Sequence, residues 1–177
     1  GTGGKIMVYL RPDQKDADAH NIDILRRCAE DFAREDLLLV VEFLTYALDG
    51  ETKAQHAEAL PELVAGGVRI ALDCGAKLLK VPYPGSAAAC ATINEMVAGV
   101  PWTILSAGVD HETFLAHVRT AVAEGAVGVI AGRALWKDCI SLDSNVTRER
   151  LERLAVPRLE EIKAVVREGR QARAAAA

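Results

Sequence analysis

Hydrophobic and polar positions fall along this chain in two kinds of block. Five short apolar runs read as strands: Ile6 to Leu10, Leu37 to Tyr46 (LLLVVEFLTY), Lys77 to Val81 (KLLKV), Trp102 to Leu105 and Val127 to Ile130. Between them the apolar residues recur at helical spacing. Ile22, Ile24, Leu25, Cys28, Phe32 and Ala33 mark one helix, Ala54 to Cys74 a second with a break expected near Gly66-Gly67, and Ala87 to Val97 a third. Glu112 to Glu124 carries Phe114, Leu115, Val118 and Val122 on one face. A short helix is expected near Ala134 to Cys139, a long amphipathic one from Thr147 to Arg167, and a fraying alanine-rich tail over 169–177. Arg11-Pro12-Asp13 closes the first strand and Pro82-Tyr83-Pro84-Gly85 the third, because proline removes ladder donors.

Continuous apolar strands alternating with helices predict an α/β fold with a parallel sheet covered by helices. A doubly wound open sheet and a (β/α)₈ TIM barrel both fit. Two details favour the barrel: a polar or glycine-bearing turn follows every strand, and a short extra helix precedes the last covering helix. No Gly-x-Gly-x-x-Gly or Walker loop occurs, which removes the usual signature of nucleotide-binding open sheets. Residues 1–177 read as a single domain.

Composition narrows the function classes. The chain has 177 residues, 50% hydrophobic and 26% charged, enough apolar material for a core. Its net charge of -4, with acidic and basic residues mixed, predicts no nucleic-acid partner. No apolar run approaches the ~18 residues that a membrane span needs, so no membrane association is expected and the cytoplasm is the default compartment. Cys28, Cys74, Cys90 and Cys139 show no metal spacing and read as buried free thiols. The first residue is Gly1 rather than Met, as either processing or a missing N-terminal part would give.

Three segments carry a resemblance: Gly75-Ala-Lys-Leu-Leu-Lys-Val-Pro82, Pro101-Trp-Thr-Ile-Leu-Ser-Ala-Gly-Val-Asp110 and Gly125-Ala-Val-Gly-Val-Ile-Ala-Gly-Arg-Ala-Leu-Trp-Lys137. Together they resemble the tagatose-bisphosphate aldolase family, which includes the sulfofructose-phosphate aldolases. Lys5 to Asp13 resembles that family's fourth barrel strand and Val41 to Tyr46 its fifth, so the resemblance implies strands four to eight of a TIM barrel. It also implies a class I aldolase that cleaves a phosphorylated ketose to dihydroxyacetone phosphate and a three-carbon aldehyde through a lysine Schiff base, with no cofactor and no metal.

Residue by residue, the resemblance gives Lys80 the place of the Schiff-base lysine, Lys5 that of an active-site lysine on the fourth strand, and Glu42 that of the fifth-strand glutamate. The chemistry demands such groups. A neutral amine must attack a ketone, burial and a nearby cation help to lower its pKa, and a carboxyl can carry protons as the carbinolamine forms and dehydrates. Ser106 and Gly108, with Gly132 and Arg133, match the loops that hold the substrate phosphate, where backbone donors, a helix N-terminus and a guanidinium fork suit an anion. Taken blind, a lysine in an apolar run more often ends a strand in water; the resemblance reverses that for Lys80, whereas Lys77 reads as exposed. Glu42 resists a surface reading, since an unpaired carboxylate in such a run is costly and a pair with Lys5 or Lys80 would offset it. Trp102 and Trp136 read as packing residues, His111 as first turn of a helix, and His20, His56 and His117 as helix-surface residues.

The first three strands of such a barrel have no counterpart in this sequence, and five strands cannot close eight. Residues preceding Gly1, a truncated protein that dimerises through open edges, and an engineered fragment all account for this; a homo-oligomer is the expected assembly. Two function classes follow, the aldolase and a non-catalytic barrel remnant that keeps the phosphate site. The intact set of Lys5, Glu42, Lys80, Ser106 and Arg133 favours the enzyme.

Overall fold

A computed structural model describes residues 1–176. Five strands, β1 (Gly3–Tyr9), β2 (Leu38–Leu44), β3 (Leu78–Val81), β4 (Trp102–Ile104) and β5 (Gly128–Val129), pair in parallel in chain order. The helices are α1 (Lys15–Arg34), α2 (Lys53–Asp73), α3 (Ala87–Val97), α4 (His111–Ala123), the short α5 (Arg133–Trp136), α6 (Ser144–Arg150) and α7 (Val156–Ala176). A doubly wound sheet reverses its strand order at a switch point. Here the order β1-β2-β3-β4-β5 runs one way, which is the winding of a barrel wall.

The two faces of the sheet differ. On the outer face Leu39, Val41, Phe43, Leu79, Val81, Trp102 and Ile104 are buried under the helices and form the core with Val64, Val68, Phe114 and Val118. On the inner face Lys5, Met7, Tyr9 and Leu38 are exposed. The strand runs are therefore continuous in sequence without being equally buried on both sides.

Glycine accounts for two differences between expectation and structure. β1 begins at Gly3, before the apolar run, and pairs along its whole length from Gly3 with Leu38 to Tyr9 with Leu44. A side chain at Gly3 would place Cβ 2.5 Å from the Leu38 carbonyl oxygen, so the missing side chain permits the close strand approach. The expected break at Gly66-Gly67 does not occur, and α2 runs through it. A Cβ at Gly67 would stand 2.3 Å from the ring of Phe43, and one at Gly66 2.5 Å from Pro12. These glycines let the helix sit directly on β2 and the β1–α1 loop.

Caps start the helices as their sequences suggest. Thr52 and Gln55 form a reciprocal capping box on α2, Ser86 caps α3 and Asp110 caps α4. The C-terminal helix begins at Ser144, earlier than its apolar pattern, because Asp143 accepts from the amides of Asn145 and Val146. One π turn, Leu151–Ala155, joins α6 to α7 just before Pro157, whose ring nitrogen cannot donate to the preceding turn. The helix then continues past Gly169 to Ala176; Ala177, part of the expected fraying tail, lies outside the described residues.

Candidate active site

The candidate site lies on the inner face, where the strand ends meet their following loops. Register sets its first layer. Glu42 on β2 is level with Met7 on β1 and with Lys80 on β3, and Lys80 is level with Thr103 on β4. Lys5 starts one inward position below Glu42 and reaches up to it. Its Nζ donates to Glu42 Oε2 at 2.7 Å, and Lys80 Nζ lies 3.0 Å from the same oxygen. Glu42 is only 9% exposed. Burial pushes its carboxyl up, but hydrogen bonds from Lys5 and Lys80 and their charges outweigh this and hold it below the usual carboxylate range. The three residues read from sequence thus converge on one carboxylate oxygen.

A cavity of about 320 Å³ opens over this triad and extends to the loops after β4 and β5, lined among others by Ser106, Gly132, Arg133 and Trp136. The β4–α4 loop is a tight turn closed by Val109 N–H to Ser106 carbonyl at 3.1 Å. Both Ala107 (φ 47°) and Gly108 (φ 80°) are left-handed there. For alanine that conformation is uncommon, and such residues collect at ligand-binding loops. Arg133 lies against this turn, its guanidinium carbon 3.5 Å from where a Cβ on Gly108 would stand. Ser106, Gly132 and Arg133, separate in sequence, therefore line one corner of the cavity, and Gly108 adjoins that corner through Arg133.

Two residues of this corner escaped the sequence reading. Lys137 Nζ donates to the Gly108 carbonyl at 2.5 Å, adding a second cation beside Arg133. Trp136, expected to pack, is 40% exposed and lines the cavity, whereas Trp102 is buried and donates to Asn94. The Gly-Arg-Ala-Leu-Trp-Lys spacing held the signal, since residues 133, 136 and 137 recur within one helical turn.

Arg11, read from sequence only as part of a strand stop, is 3% exposed and anchors the rim. Its guanidinium donates to Asp13, to both oxygens of Glu51 and to the Tyr46 carbonyl, and its backbone N–H donates to Asp18. Hydrogen bonding to Arg11 holds the Glu51 carboxyl down to about 2. The network ties the loops that leave β1 and β2 and so fixes the strands bearing Lys5 and Glu42. Two histidines also depart from a plain surface reading. His56 faces Arg11 and Thr45, and His117 stacks on Tyr83 with ring centroids 3.9 Å apart. Lys77 is exposed, as expected.

Residues 5–138 match the DeoC/LacD family of aldolases. The chain is 33% identical over 116 residues to the class 1 fructose-bisphosphate aldolase of Thermoproteus tenax, a stretch that covers 64% of this chain and 42% of that protein. It is 40% identical over 81 residues to a 2-amino-4,5-dihydroxy-6-oxo-7-(phosphonooxy)heptanoate synthase of Streptomyces griseus, covering 44% of this chain and 28% of that one. The solved structure of a Schiff-base-forming fructose-1,6-bisphosphate aldolase superposes with a TM-score of 0.64 at 26% identity, over 86% of this chain and 58% of that chain. The chain thus spans less than half the length of these curated relatives. Their names support a class of aldolase rather than the tagatose-bisphosphate or sulfofructose-phosphate branch in particular. The family match takes in most of the chain and encloses Lys5, Glu42, Lys80, Ser106, Gly108, Gly132 and Arg133: this chain belongs to the DeoC/LacD family of aldolases.

Proposed function

We propose that the protein is a class I aldolase, that Lys80 is its Schiff-base nucleophile, and that these five strands correspond to strands four to eight of an eight-stranded barrel. The observation that carries the reading is the pair of lysines on one buried carboxylate, Lys80 at 3.0 Å and Lys5 at 2.7 Å from Glu42 Oε2. A structural ion pair needs one cation; a second amine at the same oxygen suits proton exchange around a reacting centre. Lys80 Nζ, having passed a proton to Glu42 3.0 Å away, attacks the ketone carbon, and the carbonyl oxygen takes up a proton from the nitrogen to give a carbinolamine. Glu42, within reach, returns a proton to the hydroxyl so that water leaves and the iminium forms. The iminium withdraws the electron pair of the bond between its α- and β-carbons as the β-hydroxyl passes its proton to the Glu42 carboxylate. The aldehyde departs, the enamine carbon takes that proton back, and water hydrolyses the resulting iminium to release the ketone and free Lys80. Lys5 donates to Glu42 from the other side and holds the carboxylate in place.

The substrate in this reading is a phosphorylated ketose, of the tagatose 1,6-bisphosphate or 6-deoxy-6-sulfofructose 1-phosphate type that the sequence resemblance implies, giving dihydroxyacetone phosphate and a three-carbon aldehyde. Ser106, Gly108, Gly132 and Arg133 would hold its phosphate; the convergence of Arg133 and Lys137 on Gly108 supports this corner for an anion. Borohydride reduction in the presence of dihydroxyacetone phosphate, followed by peptide mapping, tests the assignment. An adduct on Lys80 alone is expected; an adduct on Lys5 or Lys77, or none, would refute it.

A further inference from the structure

We infer that the indole N–H of Trp136 is a neutral hydrogen-bond donor to the substrate's phosphate, a role that rests on the phosphate corner proposed above and adds to it a ligand of different chemistry. Trp136 closes the same helical turn that Arg133 opens, and both side chains line the cavity over Lys80. Its exposure, 40%, is unusual beside the full burial of Trp102. Indole carries one donor and no acceptor, and a tryptophan N–H close to other protein groups usually finds a partner. Trp102 finds Asn94 Oδ1 at 3.3 Å, but Trp136 donates to no acceptor among the described residues.

The position of that N–H is set by Gly132. Trp136 Nε1 stands 3.4 Å from where a β-carbon on residue 132 would lie, so the absence of a side chain keeps the polar edge of the ring open beside the Gly132 backbone. Arg133 approaches the same corner from Gly108. An anion held between Gly108 and Gly132 would meet the guanidinium on one side and the indole N–H on the other. The chemistry suits a phosphate or sulfonate oxygen: a donor-only group adds a bond without adding charge, in a cavity that already holds Lys5 and Lys80. It also discriminates, because an unphosphorylated ketose offers these donors only neutral oxygens, which bind them more weakly than an anion does.

The test uses the protein labelled with ¹⁵N at tryptophan, whose two indole N–H signals are separately visible. Adding inorganic phosphate is expected to move one signal downfield in a saturable way, and Trp136→Phe should remove that signal and no other. Trp136→Phe keeps an aromatic ring and deletes the donor; it should lower the ratio of affinities for dihydroxyacetone phosphate over dihydroxyacetone by about ten-fold or more, the usual size of a lost hydrogen bond to an anion. Unmoved indole signals, or an unchanged ratio, would overturn the inference. Arg133→Ala separates the two levels: if it abolishes the preference for dihydroxyacetone phosphate while Trp136→Phe does not, the indole assignment fails alone, and if neither matters the phosphate corner itself is wrong. Should Trp136→Phe not fold, the indole shift in the unaltered protein still decides.

Discussion

Replacing Glu42 with glutamine separates a proton carrier from a structural ion-pair partner. The change is isosteric at a position 9% exposed, so the cavity keeps its shape. What goes is the charge that accepts from Lys5 at 2.7 Å and Lys80 at 3.0 Å. The Lys5 side chain is nearly half exposed, so that contact is screened and contributes under about 1 kcal/mol. The Lys80 contact is mostly buried and contributes about 1–2 kcal/mol, giving an expected stability loss near 2 kcal/mol in urea denaturation. Turnover should fall further, by about two orders of magnitude or more, as for other lost general acid–base groups. The assay is kcat and KM for ketose cleavage, beside a binding isotherm for the same ketose. A large loss in kcat with binding largely intact is the expected result. Equal losses of binding and turnover would refute the proton-carrier role and leave an ion pair. The pH dependence gives a second check. The folded carboxyl lies below its ordinary range, so its stabilising contribution is present above the unfolded pKa and is lost as pH falls through the folded one. Glu42→Gln should lack that acid-side loss.

Arg133→Ala should weaken a phosphorylated ketose by about ten- to several-hundred-fold and an unphosphorylated one far less, measured by calorimetry; equal weakening would sink the phosphate reading. Gly67→Ala should destabilise the protein by about 1–2 kcal/mol, the overpacking against Phe43 outweighing the helix-propensity gain, and a higher urea midpoint would contradict that packing argument. Glu51, held down to about 2 by Arg11, contributes stability that is present above its ordinary value near 4.5 and is lost as pH falls towards 2. Urea midpoints of the unaltered protein should therefore drop more steeply across that window than those of Glu51→Gln, and parallel curves would show that the pair does not stabilise the rim.

The sequence by itself determined the element order and the parallel sheet, because apolar periodicity reports which residues leave water; the family resemblance singles out Lys5 and Lys80, and only Glu42 stands out as a charge inside an apolar run. The loops were also legible as pairs of small residues with one arginine. Other features depend on atoms distant in the chain. Gly66 and Gly67 look like a helix break until Pro12 and Phe43 are seen against them. Arg11 looks like a strand stop until Glu51, forty residues on, receives it. Strand register alone puts Glu42 level with Lys80 and leaves Lys5 to reach up from below, so that both amines meet one carboxylate oxygen. Trp136 reads as packing because local pattern records hydrophobicity and not direction, and only the tertiary structure puts its ring on the cavity wall with Nε1 beside Gly132. Periodicity is a property of neighbours along the chain, while charge pairing and close approach belong to neighbours in space, and the second kind is set by the tertiary structure.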